Sequence, residues 1–324
     1  MTLVGVGHAL ADAFAFVDED VPKTLGLHPG SFNQVPDYRM RAIVAGLGQK
    51  NWMAGGSAAN TVKLAAGLGL DAHFVGQAGH DEAAQVFESE LLQAGVKVSL
   101  ARHDAPTGLC VTFLSPTPVR TVATFRSASG NLAVGLLGDT LLAAADVVVL
   151  EGYVLDEPEF LDELLARCRE KRKAVSLDIA DGSLLERHRE TLAKHLASGA
   201  FRYLFLPESE AATLTGLAAE EALASLTRPD LTVVLKRADR GWLVLTGSRG
   251  VEVSPGVSDV DVSGADDGFQ AGFFWAMAQG RNPVDACRIG RLVADCVAEQ
   301  PGTRIDAPRW ARLVAQLGSF QPEN

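Results

Sequence analysis

From residue 146 to residue 247 the chain alternates short runs rich in Val, Leu and Ile with longer stretches whose apolar residues recur at helical spacing. "DVVVLEG" precedes "EPEFLDELLARCREK", "AVSLDIA" precedes "LLERHRETLAKHLAS", "YLFLP" precedes "ESEAATLTG", and "LTVVLKR" and "GWLVLTG" follow as two strands in succession. A strand that is apolar along its whole length must be covered on both faces. Repeated strand–helix units do this by building a mainly parallel sheet between helical layers. The same rhythm opens the chain, with "TLVGVG" (2–7) as a strand, "SAANTVKLAAGLGL" (57–70) as a helix starting at the cap residue Ser57, "AHFVG" as a strand and "DEAAQVFESELLQAG" (81–95) as a helix. Two helices, about 265–279 and 283–299, close the pattern, and no repeat, charge block or Pro-rich linker divides it. A single α/β domain over 1–324 is expected.

One segment breaks the rhythm. Between Pro106 and Arg126, "GLCVTFL" and "RTVATFR" are strand-like runs separated only by "SPTPV", a hairpin-like insertion. With the alternating "AFAFV" (13–17) it is expected to form a small β subdomain over one end of the main sheet. Ligands of such sheets bind outside the carboxyl ends of the strands. Residues 7–12, Asp178 to Asp181, Pro207 to Glu210 and the stretch 261–269 therefore belong at one rim.

Composition narrows the ligand. With 47% apolar residues the chain has ample material for a core, and a net charge of −11 opposes nucleic acid and anionic membranes as partners. The opening "MTLVGVGHAL" has no basic leader, and the most apolar later run, 141–150, is short and contains Asp146, so a cytoplasmic protein is expected. Cys110, Cys168, Cys287 and Cys296 form no C-x-x-C pair, and His188 and His195 lack any zinc-binding spacing, so no metal held by the protein alone is expected. No G-x-x-x-x-G-K-[ST] loop occurs. In "GVGHAL" Leu10 stands where a dinucleotide fingerprint needs its third glycine.

Two motifs carry chemistry. In "MAGGSAANT" (53–61) two glycines precede a helix, which lets a ligand approach backbone closely, and Asn60 offers an amide to hydroxyls; a tight turn with a cap is the plainer reading. In "DVSGADDGFQAGFFWAM", Gly264 and Ala265 open a helix whose unpaired N–H groups attract an anion. Asp267 in its first turn is placed to act as a general base, although acids near a positive helix end also stabilise the helix by a few tenths to about 1 kcal/mol.

Together these motifs resemble the two signatures of the ribokinase, or phosphofructokinase-B, family of sugar and nucleoside kinases. "GGSAANTVKLAAGLGLDAHFVGQAGHDEAAQVF" is similar to the first, and "DVSGADDGFQAGF" to the second, which usually reads D-T-x-G-A-G-D. The resemblance covers nearly the whole chain; "GVGHALADAF", "GLHPGSF", "VVLEGYVLDEPEF" and "ERHRE" are most similar to bacterial adenosine-kinase-like members. It implies a three-layer α/β/α core with a β lid, here from about 13–17 and 106–126. It implies Asp12, Gly55, Gly56 and Asn60 on the sugar hydroxyls, Asp267 as base, and the N–H groups of Gly264, Ala265, Asp266 and Asp267 as the anion hole. Glu210, Lys236 and Asp261 are associated by the same resemblance with the nucleotide and its metal, with ATP and Mg²⁺ as co-substrate and ion. A homodimer through the lid strands 13–17 and 109–126 is a further expectation.

The chain departs from the family pattern mainly where phosphate would bind. Asp266 replaces the anion-hole glycine, and at an effective dielectric near 20 a negative charge about 4 Å from a phosphate oxygen costs about 4 kcal/mol. That compares with losing an oxyanion-hole donor, roughly 10²–10³ in rate. An Asp266 turned to solvent, or holding Mg²⁺ through water, would avoid the cost. Pro207 replaces the Asn of the Asn-x-x-Glu motif, Ala238 a nucleotide-contacting glycine, Val262 a threonine, and His8 the usual Asn after the first strand. The leading expectation is ATP-dependent phosphorylation of the primary hydroxyl of a nucleoside (adenosine-like) or small furanose. The alternatives are a nucleoside hydrolase, in which paired carboxylates activate water, and a non-catalytic ligand sensor.

Overall fold

A computed structural model describes residues 1–47, 52–116, 120–179, 182–237, 240–247, 249–254 and 264–320. Asp181, Ala238, Asp261 and Val262 lie outside the described residues.

The strand–helix alternation produces a nine-stranded sheet, ordered Arg249–Val253, Trp242–Thr246, Thr232–Lys236, Tyr203–Pro207, Ala174–Asp178, Val147–Glu151, Thr2–Val6, Asp71–Ala78, Lys97–Arg102. The strands from Thr232–Lys236 to Lys97–Arg102 run parallel, and the two at the opposite edge are antiparallel. Because side chains alternate along a strand, neighbouring apolar residues feed different layers. Leu3, Val149, Phe205 and Val234 pack under the helices Ser57–Gly67, Glu82–Gln93, Ala265–Ala278 and Pro283–Val297. Val4, Val148, Leu204 and Val233 pack under Pro158–Glu170, Gly182–Ala197 and Glu208–Thr215. This is the three-layer arrangement that continuously apolar strands require.

The edges are less legible. Lys97–Arg102 and Arg249–Val253 are half-exposed and carry no long apolar run, so they escape the pattern that marks central strands. The chain also adds a further amphipathic helix, Ala307–Gly318, after the two expected to close the core.

The insertion is part of a second sheet, ordered Phe32–Gln34, Arg120–Phe125, Gly108–Leu114, Leu10–Phe16, Met53–Gly55. Gly108–Leu114 and Arg120–Phe125 pair antiparallel, as the hairpin pattern requires. Asp12, expected in the loop after the first strand, is instead inside Leu10–Phe16. The strands within 109–126, expected at a homodimer interface, are each hydrogen-bonded on two sides. Among the described residues the edges are the three-residue strands Phe32–Gln34 and Met53–Gly55, together with the end of Leu10–Phe16 beyond its pairing with Met53–Gly55. One face of this sheet, through Ala15, Val111, Phe113 and Ala123, packs on Met40 and Ile43 of the helix Asp37–Gly46. The other face, through Asp12, Phe14, Thr112 and Val122, looks into a cavity at the carboxyl ends of the parallel strands.

The four cysteines are buried and unpaired. Among the described residues no helix is long and apolar enough to cross a membrane.

Candidate active site

The site is assembled from the ends of the parallel strands and the starts of two helices. Glu151, Asp178, Pro207 and Lys236 are each the last residue of a strand, and His8 follows the first strand by two positions. Against them stand the N-terminal turns of Ser57–Gly67 and Ala265–Ala278, which pack on each other across the molecule.

Gly264 caps the second of these helices with φ of 77°, in the left-handed region, and a Cβ there would come within 2.2 Å of Thr303 Cγ2. The turn is therefore closed to any other residue as it stands. Among the described residues no side chain caps the helix, and its first backbone N–H groups, at Ala265, Asp266 and Asp267, have no intrahelical acceptor and present a positive end to a ligand.

Asp267 is buried in this first turn. Ser57 Oγ donates to its Oδ1 at 2.7 Å, and Asn60 Nδ2 donates to its Oδ2 at 3.1 Å. Thr303 Oγ1 donates to Asn60 Oδ1 at 2.8 Å, so the Asn60 amide is engaged at both ends. Ser57 was expected to cap its helix; the cap position is Gly56, and the serine hydroxyl is turned to Asp267 instead. Burial pushes the Asp267 carboxyl up to about 7 against these two hydrogen bonds, with Asp266 and Glu151 adding to the rise.

Asp12 is buried as well, and its carboxyl is pushed up to about 7 by burial, opposed by Lys63 and reinforced by Asp267 and Glu90. The two expected sugar-site glycines leave room for protein. A Cβ on Gly55 would overlap the Asp12 carboxyl at 2.0 Å, and one on Gly56, whose φ is 94°, would meet the His8 carbonyl oxygen at 2.3 Å. Asp178 is raised well above the carboxylate range, by burial first and then by Asp266 and Asp267; Gln270 Nε2 donates to it at 2.8 Å.

Asp266 is half-exposed and paired with Lys236, whose Nζ lies 2.7 Å from Oδ1 and 2.8 Å from Oδ2. The charge that the sequence placed in the phosphate turn thus meets a partner from the neighbouring strand end. Glu210 stands apart, in the first turn of Glu208–Thr215, with its carboxyl 2.4 Å from where a Gly182 Cβ would be, and it is not among the residues lining either cavity. Glu208 lines the larger one and pairs with Arg237 and Arg240.

Two cavities meet here. One of about 620 Å³ is walled by Phe205, Leu206, Val234 and the stacked pair Trp242 and Phe269, with Lys236, Arg237 and Arg240 at its polar side. The other, of about 210 Å³, lies under the small sheet and is lined by His8, Asp12, Asn60, Arg126, Tyr153 and Asp267, among others. Asp178 and Asp266 line both. Among the described residues no group of three or more His, Cys, Asp or Glu side chains is arranged to hold a metal ion.

Sequence reasoning missed Ser57 and Thr303 as partners of the acid network, and Tyr153, Phe32 and Arg126 as a wall. Phe32 stacks on Tyr153 at 5.3 Å, and the Arg126 guanidinium lies over the same ring at 4.8 Å. These contacts join residues far apart in the chain, and no local motif marks them.

The chain matches the pfkB family carbohydrate kinase over residues 48–310. An uncharacterized sugar kinase of Archaeoglobus fulgidus is 23% identical over 250 residues, which is 75% of this chain and 97% of that protein. The bifunctional protein HldE of Methylococcus capsulatus is 28% identical over 274 residues, covering 78% of this chain and 54% of that protein, so the chain spans about half of that relative. Adenosine kinase from Sinorhizobium meliloti superposes with a TM-score of 0.88 at 25% identity, over 98% of both chains. A probable sugar kinase from Rhizobium etli gives 0.89 at 24% identity over 98% of both chains and shares the fold. With the family match running over most of its length, the chain belongs to the pfkB family of carbohydrate kinases.

Proposed function

We propose that the protein transfers the terminal phosphoryl group of ATP to a hydroxyl of a nucleoside or small furanose. The observation that carries this reading is the position of Asp267: a buried carboxyl with a raised pKa of about 7 that lines the smaller cavity, in the first turn of a helix whose Asp266 lines both cavities. A general base works best near the operating pH, and an anion is held best at a helix N-terminus. In the reaction Asp267 takes the proton of the acceptor hydroxyl. That oxygen forms its bond to the terminal phosphorus as the bond to the bridging oxygen breaks, and ADP leaves.

The larger cavity falls within the 300–1,000 Å³ range of small-molecule sites, and its apolar walls with basic residues at one side suit a nucleotide. Lys236 and the N–H groups of Gly264 to Asp267 would receive its phosphates. Mg²⁺ fits as an ion carried by those phosphates, with Asp266 or Asp178 as a protein-side oxygen, since the described residues gather no full ligand set. The Lys236–Asp266 pair removes much of the repulsion that Asp266 alone would set against phosphate, and this favours a kinase over a hydrolase at the same carboxylates.

The substrate side rests on Asp12 and the smaller cavity, with the Tyr153 and Phe32 rings available to a flat base. Dimerisation through the exposed end of Leu10–Phe16, where Phe16 is 77% exposed, belongs to the same reading, and light scattering of a Phe16→Lys variant checks it. For the activity, the protein is incubated with a panel of nucleosides and pentoses, with and without ATP and Mg²⁺, and products are followed by mass. A monophosphate that requires ATP and disappears in Asp267→Asn is the expected result. Free base formed without ATP would replace the reading with a hydrolase.

A further inference from the structure

Thr303 joins the two sides of the site with a single buried side chain. Its hydroxyl holds the Asn60 amide, which donates to Asp267, and its Cγ2 closes over the Gly264 turn, 2.2 Å from where a Cβ would stand. The residue lies in the loop between the helices Pro283–Val297 and Ala307–Gly318, so its own backbone gives it no regular support. Gly302, at a φ of 78°, lets that loop tuck against the small sheet: a Cβ there would lie 2.8 Å from Met53 Sδ and 3.2 Å from Phe14 Cε2.

The anchor is the next residue, Arg304. Its Nη2 donates to Glu90 Oε2 at 2.7 Å and its Nε to Glu90 Oε1 at 3.3 Å, while Nη2 also reaches the Trp52 carbonyl at 3.3 Å. Two-point contacts of this kind fix direction as well as distance. Glu90, in the helix Glu82–Gln93, also accepts from Lys63 Nζ at 3.0 Å and from the Ala54 N–H at 2.9 Å. Burial works against its charge, but Arg304, Lys63 and that N–H hold the carboxyl below its usual range. Lys63 belongs to the helix that carries Asn60, and Ala54 to the strand that pairs beside Asp12. One carboxylate thus ties the helix of Asn60 and the edge of the small sheet to the loop of Thr303. Glu90, Lys63 and Arg304 are not among the residues lining either cavity.

We propose that Arg304 is a positioning residue for Asp267: clamped by Glu90, it fixes Thr303, and through Thr303 the Asn60 amide whose N–H favours the charged base. The inference rests on the reading of Asp267 as that base. With Thr303 displaced, the Asn60 amide turns about its broad terminal torsion and its hydrogen bond to Asp267 weakens. The charged form then becomes harder to reach. Burial opposes it, as do Asp266 on its own helix, Glu151 and Asp178 at the strand ends and Asp12 in the small sheet. Lys236 and His8 face this group as the partners of Asp266 and Glu151, and Ser57 donates to Asp267 from the other side.

The test reads Asp267 directly in the full-length protein and needs no turnover. In protein carrying ¹³C at the aspartate carboxyls, the Asp267 signal, assigned by its loss in Asp267→Asn, is followed from about pH 5 to about pH 9. Arg304→Met keeps the stem and removes the guanidinium; it is expected to raise the midpoint by on the order of half a unit, a share of one hydrogen bond. Thr303→Val should raise it at least as far. The double variant Arg304→Met/Thr303→Val should go no further than Thr303→Val alone, because Arg304 acts through Thr303. An unmoved midpoint in Arg304→Met overturns the inference, and so do additive shifts in the double variant. Arg304 is 52% exposed, which favours a folded variant. Should Arg304→Met not fold, Arg304→Lys, whose single nitrogen cannot repeat the two-point contact, is carried through the same cycle with the same two outcomes. A shifted titration in a protein that phosphorylates nothing removes the kinase reading and leaves the clamp standing. Phosphorylation with an unmoved titration keeps the kinase and removes the clamp.

Discussion

Lys236 and Asp266 form a two-point contact, Nζ to both carboxyl oxygens at 2.7 and 2.8 Å, across the turn that would receive phosphate. The pair is about two-fifths exposed on each side, so solvent screens it and its own stability contribution is about 0–1 kcal/mol. Its effect on a bound anion is larger, because it decides whether the turn presents a net charge. Asp266→Gly, which frees Lys236, is expected to lower the KM for ATP about tenfold, and Lys236→Met to raise it by a similar factor. Steady-state kinetics on both variants and on the double variant Asp266→Gly/Lys236→Met measures the coupling; independent, additive effects would sink the idea.

Asp267→Asn removes the proposed base and should reduce kcat by at least about 10²-fold while changing substrate KM little. Substrate affinity measured by calorimetry separates this from a binding defect. An active Asp267→Asn enzyme would take the residue out of the mechanism.

The raised Asp267 pKa sets the acid limb of activity. A base must be deprotonated to work, so kcat/KM should fall about tenfold per pH unit below a midpoint near 7. Ser57→Ala removes a hydrogen bond that favours the charged form, and the midpoint should move to higher pH, by on the order of one unit. A profile unmoved by Ser57→Ala would show that the 2.7 Å contact does not tune the base.

Stability should move the opposite way. Between the ordinary carboxylate value of 3.8 and about 7, the unfolded chain releases the Asp267 proton while the folded protein keeps it. The unfolded state therefore gains with rising pH, and the cost levels off above 7 at on the order of 4 kcal/mol. Asp267→Asn is expected to raise Tm by a few degrees at pH about 8 and to leave it unchanged near pH 4, as read by differential scanning calorimetry.

Gly264→Ala introduces a methyl group 2.2 Å from Thr303 Cγ2 at a φ of 77°, two separate penalties. A loss of about 2–4 kcal/mol is expected. Adding Thr303→Ser should relieve the overlap but not the backbone strain, so chemical denaturation should recover only part of the loss. Full recovery would mean that φ carries no cost here.

The parallel core was legible because a strand covered on both faces writes its burial directly into the sequence, as "DVVVLEG" and "YLFLP" do. Phe32–Gln34 and Met53–Gly55 were not, since three residues are too few to establish a period. Asp12 and Asp267 could be singled out because they belong to motifs that resemble a known family. The position of Ser57 was legible but its partner was not: a serine at a helix start reads as a cap, and only the packing of two helices reveals the carboxyl it serves. Asp266 is the clearest case of this limit, for the residue that neutralises it lies 30 positions away at a strand end.

Asp178 and Asp266 are common walls of two cavities. A ligand that changes the charge or protonation of either wall from one side changes the surface met by the other ligand. The dissociation constants for the two ligands are then tied by one reciprocal factor. Kinetically, such an enzyme shows synergy or antagonism between its substrates, with each apparent KM depending on the concentration of the other.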